Sequence, residues 1–388
     1  MTAMDSSHFD VVIIGAGPAG TTCASLLARK GIRVLLCDKA SFPREKICGD
    51  CVNPGCWDFF GLLGISDEVA VNSENVTGIK IAGRSGKILD IPLNENLPHA
   101  GIAPFIAIKR SILDSLLLDR AIRDGAIFHG ATAIESILQK RDDEGSWQIC
   151  LKKKENGETF NVSCGMLVGA DGRNSRVAKL LYGIEAEQKK VKEVNSDRIG
   201  VQFKVKRTCM TFSDVVMFFF GGGYGGIVGV NSVESNVAMV VSRNLARLAL
   251  TDTKTLIDKT IHSNQYLCRT LNPLEIIGDI RTAFPITPRR NKRHFPSAYL
   301  IGDARHTTEP FTGEGICFAM QDGVQLAQEI SKSYGFAREE LRLIVRNRLW
   351  NNGIFSPILR RESSIEKIIT FGIRNKGLVK LASKSVFR

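Results

Sequence analysis

The chain has no low-complexity tract and no internal repeat of solenoid period, which excludes a disordered or solenoid protein. An export signal is also missing. The opening MTAMDSSHFDVVIIGAG carries Asp5 and Asp10 where such a signal would carry Lys or Arg, and its apolar run is four residues. A long uncharged run occurs at 215–233, VVMFFFGGGYGGIVGVNSV. Its six glycines and the Asn231-Ser232 pair make it a poor membrane helix, so two short strands around a glycine turn are expected instead. Cys48-x-x-Cys51 has neither a second CxxC nor a histidine pair at zinc spacing, and it lacks the helix start that lowers a thiol pKa. Neither a metal site nor a thioredoxin-like dithiol is expected. No carboxylate pair or Ser/His/Asp constellation suggests hydrolysis. Basic residues are not interleaved with stacking aromatics, so nucleic acid is not an expected partner.

What is present is an ordinary folded composition, 44% hydrophobic and 24% charged. At 388 residues the chain exceeds the size at which one core usually stops growing, so two interlocked domains are expected. Ten cysteines without an export signal fit a reducing, cytoplasmic compartment. The net charge of +12 is uneven: 332–388 holds 13 Lys/Arg against four Asp/Glu. Two readings of that tail stand, a solvated basic face, or a surface for an anionic membrane or a phosphorylated or carrier-bound substrate.

Three motifs carry the chemistry. FDVVIIGAGPAGTTCASLLARKGIRVLLCDKA reads as strand, turn, helix and strand, with Val11–Ile14 as a buried parallel strand. Gly15, Gly17 and Gly20 follow in G-x-G-x-x-G spacing. These give the tight turn, the approach of a pyrophosphate and close helix–sheet packing. Asp38 ends the second strand, where an acid can accept ribose hydroxyls. The second motif, MLVGADGRNSR at 166–176, is an apolar strand, then Asp171-Gly172, then a helix start. The third, AYLIGDARHTTEPFTGEGICFAMQDG at 298–323, is a strand ending in Gly302-Asp303, a loop with Pro310, Gly313 and Gly315, and a long helix.

That order of motifs resembles the flavoprotein family that includes p-hydroxybenzoate hydroxylase, geranylgeranyl reductases and flavin-dependent halogenases, over residues 11–323. The resemblance implies an α/β fold with a Rossmann-like FAD-binding domain and an interleaved antiparallel-sheet substrate domain. Residues 1–75, 111–182 and 295–330 would form the first, and 76–110 with 183–294 the second. Residues 331–388 would be a basic, helical C-terminal segment. It implies FAD contacts from Gly15, Gly17, Ala19, Gly20, Asp38, Lys39, Lys46, Gly49, Arg110, Asp171, Gly172, Asp303, Pro310, Gly313 and Gly315. Asp303 would face the ribityl chain and diphosphate. The helix opening near Gly313–Gly315 would direct free N–H groups and its positive dipole end at the flavin pyrimidine.

The spelling within the motifs is mixed. Gly-Asp-Ala-x-His, with His306, is similar to the aromatic monooxygenases. Gly-Glu-Gly at 313–315 and Phe-Pro-Arg…Lys-x-Cys-Gly-Asp at 42–50 are similar to the geranylgeranyl reductases. The halogenases' Trp-x-Trp-x-Ile-Pro signature is absent. The expected function is therefore FAD-dependent hydride transfer through flavin N5 to an apolar or carrier-tethered biosynthetic substrate. Aromatic hydroxylation and halogenation are the enzyme alternatives. A lipid or protein binder like the GDP-dissociation inhibitors is the non-enzyme one. No second nucleotide motif is present, so NAD(P)H, if used, would be a transient donor without its own domain, or a protein donor would replace it. Candidate catalytic residues are Cys48 in the flavin-side loop, His306, and Tyr224 in the glycine-rich hairpin.

Overall fold

The computed structural model describes residues 8–93, 104–139, 146–185, 198–207, 213–271, 273–286, 289–291, 294–336, 362–375 and 377. Most of the expected basic segment, including LRLIVRNRLW, lies outside them. The apolar run at 11–14 is the end of a strand, His8–Ile14, and those four residues are buried. Continuous burial of this kind requires cover on both faces of a parallel sheet. Val34–Cys37 pairs parallel on one side of it and Thr159–Gly169 on the other, while Ala298–Leu300 and Ile127–His129 extend the sheet outward.

The register decides where function can sit. Ile14 lies opposite both Cys37 and Gly169, and Gly169 lies opposite Leu300. Four strands therefore end nearly level, and the segments that follow them emerge at one edge: Gly15, Asp38, Ala170-Asp171-Gly172 and Gly302-Asp303. Ligands of open α/β sheets bind at such carboxyl edges.

Helix Pro18–Ala28 covers one face together with helix Gly315–Ser333. The two helices touch backbone to backbone. A Cβ on Gly323 would lie 2.5 Å from the Ala19 carbonyl oxygen, and one on Gly20 only 1.9 Å from that of Gly15. Gly15 itself has φ +110 and would place a Cβ 2.4 Å from the Ala170 oxygen. Gly15 and Gly20 are thus required by neighbouring protein backbone, before any ligand is considered.

A second, seven-stranded sheet runs Ile276–Ala283, Ile199–Lys206, Glu234–Val241, Gly223–Gly229, Asp214–Phe220, Gly78–Ala82 and Ile88–Pro92. Its pairs are antiparallel except Asp214–Phe220 with Gly78–Ala82. In IGVQFKVK the alternate residues Ile199, Val201, Phe203 and Val205 face a core shared with helices Thr253–His262 and Gln265–Thr270. The uncharged run forms the expected hairpin, with Gly222 (φ +93) at its tip. Its strand glycines have another cause. A Cβ on Gly225 would meet the Phe218 ring at 2.3 Å, and one on Gly223 the Phe220 ring at 2.5 Å. They let neighbouring phenylalanines lie flat on the strand.

Helix Glu362–Arg374 closes the far edge. Ile365 and Ile369 are buried beside Leu89 and Ile91, and the Glu366 carboxylate accepts from the Ser85 N–H at 3.2 Å and its hydroxyl at 2.9 Å.

Candidate functional site

A cleft of ≈ 770 Å³ opens at the level strand ends. Gly15, Gly17, Asp38, Lys39, Lys46, Asp171, Gly172 and Asp303 line it on the parallel-sheet side, and 281–286 of the second sheet faces them. Asp38 holds the first turn together: its Oδ2 accepts from Ala16 N–H at 2.8 Å and its Oδ1 from Ala40 N–H at 2.9 Å. Gly17 differs from Gly15 and Gly20. The nearest atom to a Cβ there is the end of the Arg44 side chain at 3.4 Å, so it faces the cleft and not the protein.

Asp171 caps helix Arg176–Glu185, accepting from Arg176 N–H at 2.6 Å and Val177 N–H at 3.2 Å through Oδ2. Its Oδ1 is buried with no partner, and burial raises its pKa. Lys46 lies near Gly172, 3.5 Å from where a Cβ would stand. Burial lowers its pKa, with Arg110 adding to the effect and Asp303 opposing it. Arg44 reaches Asp114 at 3.0 Å, while its buried Nε has no partner.

This donor set fits FAD. An open glycine turn, an unpartnered guanidinium nitrogen and a half-buried ammonium suit a diphosphate, and carboxylates with spare lone pairs suit sugar hydroxyls. Arg44 was visible in the Phe-Pro-Arg stretch but is not among the expected contacts. Its signal is the pairing with Asp114, 70 positions on.

The cysteine loop joins the two sheets. Glu45 pairs with Lys204 at 3.4 Å and Arg281 at 3.1 Å, and Asn236 Nδ2 donates to the Cys48 carbonyl at 2.8 Å. Gln202 in turn donates to Asn236 at 2.8 Å. Arg110, 6% exposed, begins helix Arg110–Arg123, grips Asp114 with two bonds of 2.9 Å, and also donates to the Cys48 thiol. Burial pushes that thiol's pKa up and Arg110 pulls against it.

Asp50 adopts φ 55 and is 3% exposed, with Oδ1 lacking a partner. Burial pushes its pKa up to about 7, against the pull of Arg110, whose N–H donates to it. Asp50 ends the Phe-Pro-Arg…Lys-x-Cys-Gly-Asp stretch but was given no role, and its partner Arg110 is 60 positions away.

The remaining candidates are spread around this centre. Tyr224 is buried, its ring edge-on to Phe311 at 5.5 Å and its hydroxyl donating to Glu309. Arg198 holds Glu309 with two bonds of 2.9 and 3.0 Å. Arg198 and Glu309 were missed: Arg198 lies outside the motifs, and Glu309, inside the third, has its partner 111 residues away. Gly313 (φ +67) abuts the Cys51 carbonyl, Gly315 opens helix Gly315–Ser333 into free space, and Pro310 is exposed. Gly49 is exposed with nothing near it, and Ala19 and Gly20 lie beneath the turn. His306 is half-buried on a two-stranded ladder with Arg290 and is not among the residues lining the cleft. Among the described residues no group of three or more His, Cys, Asp or Glu could hold a metal, and no helix is long and apolar enough to cross a membrane.

Residues 8–343 match the FAD binding domain family. The chain belongs to that family. It is an FAD-dependent oxidoreductase of p-hydroxybenzoate hydroxylase-like fold, and its cofactor is FAD. Conditioned medium factor receptor 1 of Dictyostelium discoideum is 29% identical over 338 residues, 83% of this chain. The chain spans only 63% of that relative's length. Digeranylgeranylglycerophospholipid reductase 3 of Methanosphaera stadtmanae is 24% identical over 99% of this chain and 96% of its own. The structure of the flavin-dependent brominase Bmp2 superposes with a TM-score of 0.76 at 21% identity, covering 98% of this chain and 93% of that one.

Two substitutions test the site. Gly17→Ala faces the cleft and clears the protein, so the urea midpoint of the apoprotein should hold while FAD affinity falls about tenfold or more, the loss expected when charge-assisted bonds to a phosphate are broken. Equal FAD affinity would remove Gly17 from the cofactor site. Asp50 has a folded-state pKa of about 7 against 3.8. The stability it contributes is complete below the lower value and is lost as pH rises through the higher one. Asn tolerates the left-handed backbone and keeps an acceptor for the Arg110 N–H. Asp50→Asn should therefore gain stability over the parent at pH 8 and much less at pH 5, compared by denaturant midpoints.

Proposed function

We propose that the enzyme reduces a carbon–carbon double bond of an apolar biosynthetic substrate, in the manner of the geranylgeranyl reductases, with NAD(P)H as transient donor. FAD, when bound, supplies a hydride equivalent at N5. The observation that carries the reading is the state of Cys48. Its thiol is bonded to the buried Arg110 guanidinium, and burial still keeps its pKa above the ordinary range, so the sulfur holds its proton at neutral pH. Such a group is a poor nucleophile and a suitable donor of the proton that must accompany a hydride. The wall beside the loop supports an apolar substrate: Cys51, Met217, Phe219, Tyr224, Val240 and Phe311 form one cluster.

A docking role for the basic C-terminal part belongs to the same reading. Helix Glu362–Arg374 exposes Ile368 and Phe371 beside Lys367 and Arg374, which suits an anionic lipid surface that holds the substrate. Replacing both apolar residues by Ser should abolish sedimentation with anionic vesicles and leave turnover of a soluble substrate unchanged; undiminished sedimentation would make this helix a packing element only.

The reaction is tested by reducing the holoenzyme anaerobically with NADPH and adding an isoprenoid alkene. One two-electron-reduced product per flavin is expected without oxygen, and Cys48→Ala should lower kcat about a hundredfold with NADPH reduction of the flavin unchanged. An oxygenated product formed only in air would replace this reading with the hydroxylase.

A further inference from the structure

We propose that Arg198 and Glu309 form a charge-balanced pair, behind the turn that precedes helix Gly315–Ser333, that sets the reduction potential of the flavin, with Tyr224 as the positioning residue that keeps Glu309 on Arg198. The inference concerns the cofactor and stands whatever the substrate.

Glu309 is 2% exposed and directly precedes the turn Pro310–Thr312. Gly313 and the N-terminus of helix Gly315–Ser333 come next, the segment that the family resemblance turns toward the flavin. That terminus is positive and favours negative charge on the ring. A carboxylate buried a few residues away would oppose it. Arg198 cancels the opposition with its two parallel bonds, a geometry matched to a carboxylate. The pair is anchored at both ends. Arg198 Nε donates to the Ile286 carbonyl at 3.1 Å, its own carbonyl accepts from Ile286 N–H at 2.8 Å, and Ile286 lines the cleft. Tyr224 comes from the second sheet, giving its hydroxyl to Glu309 and its ring to Phe311 two residues on.

Stability alone is a weak account of such an arrangement. A buried ion pair seldom outperforms apolar residues of the same volume, because both charges lose their water. What low polarity amplifies is the influence of each charge on a neighbour that gains charge. Flavin reduction is such a gain.

The sign of the shifts separates this role from packing. Glu309→Gln leaves the Arg198 charge uncompensated, so it should raise the two-electron midpoint potential of the holoprotein, measured against a reference dye without substrate. Arg198→Met leaves the carboxylate, so it should lower the potential. A tenfold change in the ratio of affinities for reduced and oxidised flavin, about 30 mV, is expected in each direction, with Arg198→Lys returning most of the loss. Tyr224→Phe keeps the ring on Phe311 and should alter the visible flavin spectrum without releasing FAD. Shifts of the same sign in both charge variants, or none, overturn the proposal. If Arg198→Met fails to fold, the isosteric Glu309→Gln decides alone, and a potential that is unchanged or lowered overturns it.

Discussion

Backbone meets backbone at three points with no side chain between: Gly15 on Ala170, Gly20 on Gly15, and Gly323 on Ala19. Everything that positions the cofactor depends on these contacts. They draw the first helix down onto the strand ends and the last long helix down onto the first. The N-terminus of the first helix is thereby held at the edge where four parallel strands finish level. Helix dipoles act only over about the first turn, so a side chain wedged at Gly15 or Gly20 would displace that positive end from the cleft. The glycines of this fold act in two ways that look alike in sequence. Most remove an obstacle to protein, and Gly17 removes an obstacle to ligand.

The second constraint is the loop at 42–51, which belongs to neither sheet and is held by both. Its acidic and carbonyl groups bond to Lys204, Arg281 and Asn236 of the antiparallel sheet, and its thiol and Asp50 to the head of helix Arg110–Arg123. A loop fixed from two sides presents its sulfur with little freedom. Arg110 is the common partner: its guanidinium reaches Cys48 and Asp114, and its backbone N–H donates to Asp50. One residue thus compensates three groups.

The parallel sheet was legible because its information is local. Val11–Ile14, the glycine spacing and Asp38 lie within one βαβ unit, and the other two motifs repeat the pattern of apolar strand followed by acid and glycine. The alternation in IGVQFKVK likewise exposed a half-buried strand. The partnerships across the interface could not be seen. Arg198 with Glu309, Glu45 with Lys204 and Asp50 with Arg110 are each separated by dozens of residues, and none has a periodic signature. The glycine-rich hairpin was legible as a hairpin but not in its reason, since the flat Phe218 and Phe220 rings depend on cross-strand register. His306 sits inside a strong motif and pairs with Arg290 on a small ladder, a partnership that the motif does not reveal.

A fold shared with a reductase and a brominase determines the cofactor and leaves the chemistry to the second sheet and the cysteine loop. In this chain those surfaces have an uneven character. The polar atoms beside the apolar cluster are already engaged: the Tyr224 hydroxyl by Glu309, Glu309 by Arg198, and the Cys48 thiol by Arg110. Burial and the adjacent carboxylate push the Tyr224 phenol well above its ordinary pKa, so it stays a donor to Glu309. A polar substrate would have to break these bonds, at a cost of about 1–3 kcal/mol for each group left unpaired. An apolar one leaves them intact and gains by covering the half-buried Met217 and Phe311. The same consideration separates the two thiols of Cys48-x-x-Cys51. Cys48 has a guanidinium to steady a transient negative charge, whereas the pKa of Cys51 is raised well above the usual thiol range by burial, with Cys48 and Asp50 adding to the rise. Only Cys48 has a cation that opposes the rise, and the chemistry proposed for this loop rests on that difference.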